Sequence, residues 1–87
     1  MKLTHRQIEV FRALMLTTSV TRAAEVLHTS QPTVSRELAR LEQLLGFALF
    51  ERLRGRLKPT ERALALYDEV QRSFVGLERI VERAQAL

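Results

Sequence analysis

The stretch TSQPTVSRELARLEQLLG, residues 29–46, carries both a start signal and a stop signal for one helix. The hydroxyl of Ser30 can cap the helix, because it can accept a hydrogen bond from a backbone N–H one turn further on. Pro32 falls in the first turn, where a missing N–H is harmless and a fixed φ suits helix geometry. Gly46 can adopt the left-handed conformation that ends a helix. The sequence therefore predicts a helix between Ser30 and Gly46.

The two faces of this predicted helix differ in chemistry. One face is an apolar stripe of the kind that packs on a core. Its members are Val34, Leu38, Leu41 and Leu45. The opposite face, which has no carboxylate at its centre, consists of Pro32, Ser35, Arg36, Ala39, Arg40 and Gln43. Small residues allow close approach, and arginine and glutamine form paired hydrogen bonds with base edges, so this face suits a DNA major groove. An ordinary solvated face is the alternative.

The composition favours a polyanionic partner. The 87 residues carry a formal net charge of +4, and the sequence pI is about 10.7. Residues 1–62 hold 11 of the 14 Lys and Arg residues but only 6 of the 10 Asp and Glu residues. Such an excess of positive charge attracts phosphate groups. A chain of this length is expected to form one small domain, with little room for a deep ligand cavity.

Several classes of protein are disfavoured by what the sequence lacks. It has no cysteine, so neither a disulfide framework nor a thiolate metal site is expected. No apolar run approaches a membrane span, and the N-terminus lacks the apolar segment of a signal peptide, so we expect a cytoplasmic protein without a membrane partner. No glycine-rich phosphate loop, nucleophile elbow or zinc-ligand spacing occurs. We therefore expect neither an enzyme nor a bound metal or cofactor.

The N-terminal segment, residues 1–18, is predicted to form the first helix. Thr4 and Gln7 have the spacing of a capping box, and Leu3 and Ile8 have the spacing of a hydrophobic staple. The apolar residues of this segment fall on two sides of the helix. A helix that is apolar on two sides needs two packing partners, one of which must come from later in the chain.

A short second helix is predicted from residue 22 to about residue 28. Thr21 is expected to cap it, and Ala23-Ala24 keeps it thin enough for another helix to cross close by. Val26 and Leu27 are expected to point inward. Two helices joined by a tight turn, the second with an exposed basic face, are typical of a helix-turn-helix.

Residues 47–59 are predicted to form a two-stranded hairpin, which we call the wing. Two short extended runs flank Arg54-Gly55, and glycine can supply the positive φ of a tight turn. Four cations fall within seven residues, with no acidic residue among them. They are Arg52, Arg54, Arg56 and Lys58. We expect them to contact phosphate or a DNA minor groove, and a solvated turn is the alternative.

Residues 60–87 are predicted to form a long helix capped by Thr60. At about 1.5 Å per residue it is roughly 40 Å long, more than so small a domain can cover. Apolar residues recur with the spacing of a coiled-coil seam. The seam consists of Ala63, Tyr67, Val70, Phe74, Leu77, Val81 and Ala84. Leu64, Leu66 and Ile80 widen the apolar surface and are expected to meet the second face of the first helix. Packing wholly on its own domain is the alternative to pairing two copies.

Taken together, these sequence features resemble the pattern of one protein family. Residues 3–87 look like the N-terminal DNA-binding domain of LysR-type transcriptional regulators. The shared pattern comprises Ala23-Ala24, Ser30-Gln31-Pro32, Ser35-Arg36, Leu41-Glu42 and Leu49-Phe50-x-Arg52. One departure follows the wing, where the family usually reads Thr-x-x-Gly and this chain reads Thr60-Glu61-Arg62-Ala63. Alanine favours helix over glycine at that position.

The resemblance implies a mainly α-helical winged helix-turn-helix at residues 1–59, followed by a linker helix at residues 60–87. It implies that the third helix enters the major groove of double-stranded DNA and that the wing touches the backbone and minor groove. The residues expected to read bases are Gln31, Pro32, Thr33, Ser35 and Arg36. The residues expected to contact the DNA backbone are Thr29, Ser30, Arg40, Arg52, Arg54, Arg56 and Lys58.

The resemblance also implies a homodimer whose linker helices pair antiparallel. The residues expected at that interface are Tyr67, Val70, Phe74, Leu77, Val81 and Ala84. A small-molecule effector would bind only to a further domain that is absent from this chain. The alternative is a dimeric helical adaptor that uses the same seam and binds an acidic protein through its basic surface. The two functions differ in base preference, because an adaptor has none.

Overall fold

A computed structural model describes residues 2–87 of the chain. In this range the order of elements is helix, helix, helix, hairpin, helix. The elements are α1 (His5–Thr17), α2 (Val20–Val26), α3 (Gln31–Leu45), β1 (Phe50–Leu53), β2 (Arg56–Pro59) and α4 (Glu61–Ala86). The described part of the chain is thus a winged helix-turn-helix with a long C-terminal helix, which confirms the predicted fold class.

Helix α1 begins with the predicted capping box. Thr4 is extended at φ −103° and ψ 156°, so the helix starts at His5. The predicted start at residue 1 lies outside the described residues. The Gln7 N–H donates to Thr4 Oγ1 at 3.1 Å, and the Thr4 N–H donates to Gln7 Oε1 at 3.0 Å. Each residue therefore satisfies a backbone donor of the other, as a capping box requires.

Helix α2 begins earlier than predicted, and its cap is Ser19. The predicted cap, Thr21, is wrong, because Thr21 lies inside the helix. Thr18 adopts the left-handed conformation at φ 53° and ends α1, so the extended Ser19 follows at once. The Arg22 N–H then donates to Ser19 Oγ at 3.2 Å. The break between α1 and α2 is shorter than the sequence suggested.

The core lies where α1, α2 and α3 meet, and the hairpin and the first half of α4 complete it. Its largest fully buried side chains are Phe11, Leu14, Leu41, Leu49, Val10 and Val34. Fully burying an apolar side chain of this size contributes roughly 1.5–3 kcal/mol. One prediction for this region is wrong: Val26 is 60% exposed, because the last turn of α2 directs it away from the core, while Leu27 packs at the core's edge.

The wing is an antiparallel hairpin in which Phe50 pairs with Pro59 and Leu53 with Arg56. Both residues of the predicted turn have positive φ, Arg54 at 49° and Gly55 at 77°. Positive φ at both central positions matches the right-handed twist of a two-residue hairpin, and it confirms the predicted turn.

Two hydrogen bonds hold the wing to the helix-turn-helix. The N–H of Leu57, a buried residue of β2, donates to the Thr18 carbonyl at 3.1 Å. The N–H of Leu49, just before β1, donates to Glu42 Oε2 at 2.6 Å. The first bond joins the wing to the turn between α1 and α2, and the second joins its base to α3. The wing is therefore positioned by the helix-turn-helix itself.

Helix α4 is capped by Thr60 as predicted, since the Ala63 N–H donates to Thr60 Oγ1 at 3.2 Å. Ala63 is fully buried against the rest of the domain. Leu66 packs on the core. The expectation that Leu64 and Ile80 also meet the first helix was wrong, because both are exposed. Leu64 is 54% exposed although it lies near the start of α4, and Ile80 lies beyond Phe74, the last residue of α4 that packs on the core.

The two candidate caps of α2 can be separated by mutation. Ser19→Ala should lower the free energy of unfolding by about 1 kcal/mol, because it removes the acceptor for the Arg22 N–H. Thr21→Ala, the matched control, should be close to neutral because Thr21 lies inside the helix. Urea denaturation followed by circular dichroism measures both. A larger loss for Thr21→Ala would contradict the assignment of Ser19 as the cap.

Candidate nucleic-acid interface

The face of α3 opposite its buried stripe is open to solvent. Val34, Leu38 and Leu41 are buried, which turns Gln31, Pro32 and Arg36 outward. The side chains of Thr33 and Ser35 are half-buried on the same face. This part of α3 is polar, basic and free of carboxylates, as the predicted reading surface requires.

The first turn of α3 is organised by its own hydroxyl groups. The Thr33 N–H donates to Ser30 Oγ at 3.3 Å, which confirms Ser30 as the cap. The two hydroxyls, Ser30 Oγ and Thr33 Oγ1, form a second hydrogen bond at 2.8 Å. Arg36 Nη2 lies 3.5 Å from Thr33 Oγ1, at the edge of hydrogen-bonding distance. The Arg36 guanidinium thus rests along the start of the helix with most of its donors unused.

Besides Ser30, two residues predicted to contact the DNA backbone have partners within the chain. Arg40 Nη1 donates to Glu37 Oε1 at 2.9 Å, so part of its charge is balanced by a neighbouring carboxylate. The Thr29 N–H donates to the Ala24 carbonyl at 2.9 Å and helps to close the turn between α2 and α3. Both are weaker candidates for phosphate contact than the wing arginines.

The four wing cations are all exposed, but their surroundings differ. Arg54 lies at the tip, and Arg52 and Arg56 lie on either side of the turn. Lys58 stands directly opposite Glu51 in the hairpin register. Opposite charges at paired strand positions attract each other. Three wing arginines therefore remain as the more available cations.

The fold brings the wing and the start of α3 to one side of the molecule. A mostly polar cleft lies between them, with Gln31 on one wall, Arg52 and Arg56 on another, and Ser19 and Thr21 from the start of α2. Sequence reasoning missed these two hydroxyl residues as members of the surface. The sequence could not indicate them, because the wing is brought to the turn before α2 by a contact between distant residues, the hydrogen bond from the Leu57 N–H to the Thr18 carbonyl.

The predicted dimerisation residues fall into two groups. Tyr67 and Phe74 are half-buried against the core, and Val70 is only 4% exposed. Because so little of the Val70 side chain is exposed, we assign Val70 to the core of its own chain and not to the predicted dimer interface. Leu77 and Val81 are 50% and 54% exposed, and Ala84 is exposed as well. With Ile80 they form what we call the free stripe of α4.

Two further properties concern residues 2–87. None of their helices is both long and apolar enough to cross a membrane. Within the same residues, no three His, Cys, Asp or Glu side chains are grouped so that they could hold a metal ion.

Comparison with known proteins places this surface in a family. Residues 5–64 match the family model described as a bacterial regulatory helix-turn-helix protein of the lysR family. The chain is 61% identical to the transcriptional activator protein LysR of Escherichia coli (strain K12) over 82 residues, which is 94% of this chain and 26% of that protein. The chain belongs to the lysR family of bacterial regulatory helix-turn-helix proteins.

Two solved structures share the fold over almost their whole length. One is the CbnR_DBD–DNA complex, at 30% identity and a TM-score of 0.85, with 97% of each chain covered. The other is the complex of BenM_DBD with benA site 1 DNA, at 28% identity and a TM-score of 0.87, covering 95% of this chain and 96% of that one. The chain is therefore a DNA-binding domain of a transcription regulator and not an enzyme. It spans about a quarter of the length of the LysR protein that it matches.

Proposed function

We propose that this chain binds double-stranded DNA with α3 in the major groove and the wing on the sugar–phosphate backbone or in the adjacent minor groove. One observation carries the proposal: Gln31 at the start of α3 and two wing arginines, Arg52 and Arg56, line the same cleft. A recognition helix can enter a major groove while neighbouring cations hold the phosphates on either side. The DNA complexes of CbnR_DBD and BenM_DBD support the same assignment.

In this proposal, the first two turns of α3 read base edges. Arg36 and Gln31 have side chains long enough to form paired hydrogen bonds with bases. Pro32, Thr33 and Ser35 are small or half-buried, so they allow the helix backbone to approach the floor of the groove. The hydrogen bonds among Ser30, Thr33 and Arg36 reduce the freedom that these side chains lose on binding.

The positioning contacts are proposed to come from the wing. Arg52, Arg54 and Arg56 have no carboxylate partner opposite them in the hairpin, unlike Lys58. Arg40, Thr29 and Ser30 are proposed as secondary backbone contacts, because their polar groups already have intramolecular partners.

We further propose that two copies pair through the free stripe of α4, with the half-buried Phe74 and Tyr67 at its inner end. Exposed apolar residues in one stripe favour self-association. A single recognition helix reads few base pairs, and dimers of such proteins bind half-sites about 34 Å apart. The longer relatives support the proposal that an effector acts through a domain outside this chain.

Arg36→Ala tests the reading role. On a cognate operator the substitution should weaken binding by roughly 1–3 kcal/mol and reduce discrimination at one base pair. Fluorescence anisotropy with cognate, singly substituted and scrambled DNA measures both effects. Equal losses on cognate and scrambled DNA would make Arg36 a phosphate contact instead. A wild-type domain that does not prefer any sequence would instead support the adaptor alternative.

Arg54→Asn tests the wing. Asparagine tolerates the left-handed conformation at this position, so the turn should be kept while the charge is removed. Binding to all sequences should weaken similarly, and the slope of log K against log salt should fall by about 1. Lys58→Gln is the matched control and should change the slope less, because Lys58 stands opposite Glu51. An unchanged slope in Arg54→Asn would mean that the wing tip stays in solvent.

Leu77→Asp tests the dimer. It should weaken self-association by roughly 100-fold or more, because a carboxylate would be buried without a partner. Tight operator binding should be lost, and weak non-specific binding should remain. Val75→Asp is the matched control, since Val75 is 54% exposed but lies off the seam. Sedimentation equilibrium and operator titration measure both. A monomeric wild type at tens of micromolar, or equal behaviour of the two variants, would contradict the dimer.

A further inference from the structure

Helix α4 leaves the domain at one identifiable point. Val70 is buried in the core and Phe74 is half-buried against it, whereas every residue from 75 to 87 is exposed. The segment after Phe74 is therefore a projecting arm. Its direction relative to the reading surface depends on the contacts made at the exit point.

One side chain from α1 makes two contacts at this exit. Arg12 Nε donates to Gln71 Oε1 at 3.1 Å, and Arg12 Cζ lies 4.3 Å from the centroid of the Phe74 ring. Gln71 and Phe74 are three residues apart, so they are neighbours on one face of α4. A planar guanidinium can donate hydrogen bonds from its edge while its flat face stacks on an aromatic ring. Arg12 thus contacts two residues on successive turns of α4 and holds them against α1.

Small changes at the exit are amplified along the arm. Residues 75–86 extend about 18 Å, so a rotation of roughly 10° at Phe74 displaces the far end by about 3 Å. DNA half-sites that differ by one base pair in spacing differ by about 3.4 Å along the axis and by roughly a tenth of a turn around it. If the direction of α4 at Phe74 varied by this amount, a dimer would discriminate poorly between half-site spacings that differ by one base pair.

We propose that Arg12 is a positioning residue for operator recognition: by fixing the direction of α4, it sets the spacing between the two half-sites that a dimer accepts. This inference rests on the proposed dimer. Arg12 lies on α1, outside the reading face, the wing and the free stripe, so its effect on DNA passes through Gln71 and Phe74. Lysine cannot replace it, because an ammonium group lacks the planar surface and the fixed donor arrangement.

The experiment uses a set of DNA duplexes with two cognate half-sites separated by successive single base pairs, together with a duplex that carries one half-site. Wild type should prefer one spacing. In Arg12→Ala the ratio between the Kd values for adjacent and preferred spacings should fall by roughly threefold or more, a typical coupling for a residue that links two sites. Arg12→Lys should resemble Arg12→Ala. Binding to the single half-site should be unchanged in both.

The matched control is Arg72→Ala. Arg72 is an exposed arginine of α4, next to Gln71, and its ion-pair partner is Glu69 on the same helix. This variant should keep the wild-type spacing profile. Gln71→Ala removes the acceptor of Arg12 and should relax the profile partly, which keeps the inference testable if Arg12→Ala does not fold. Thermal unfolding of each variant identifies a loss of the fold.

The outcomes separate the two levels of the proposal. A wild type that binds all spacings equally would overturn the proposed dimeric recognition itself. If the wild type prefers one spacing sharply and Arg12→Ala fully retains that preference, the positioning role alone would be overturned. Gln71→Ala takes the place of Arg12→Ala in this comparison if Arg12→Ala does not fold. A loss of single half-site binding in a folded Arg12→Ala would overturn it as well, because Arg12 would then act on the reading head.

Discussion

The burial of one face of α3 is the constraint on which the rest of the structure depends. Val34, Leu38 and Leu41 pack into the core with α1 and α2, and a helix that buries one face must turn the other to solvent. The outward direction of Arg36 is therefore a consequence of core packing. The same core supports Leu49 and Leu57, so the wing is positioned by the packing that also orients the reading surface.

Local signals made most of the fold predictable. Caps at Thr4, Ser30 and Thr60 depend on residues only three positions away, and each was correctly predicted from sequence spacing. The cap of α2 could not be predicted in this way, because Ser19 and Thr21 are both good caps. The choice between them depends on how tightly α1 ends, and Thr18 adopts a left-handed conformation that β-branched residues rarely use.

Contacts between distant elements limited the prediction of the site. The outward face of α3 and the exposed wing arginines followed from periodicity and turn chemistry. The seam of α4 did not reveal which residues pack within the chain, because Val70 and Leu77 follow the same apolar spacing although only Val70 is buried in the core. Ser19 and Thr21 line the cleft because the wing is tied to the turn before α2.

The projecting half of α4 has a thermodynamic consequence. Residues 75–86 have the length of an isolated helix that is marginal in water, and Gly76 lowers the helix propensity further. No core of the same copy covers this segment, so tertiary burial within one chain does not stabilise its backbone hydrogen bonds. Under the proposed pairing, folding of the segment and association of two copies are a single coupled equilibrium. Its helicity then rises with protein concentration, and part of the gross association energy is used to order it.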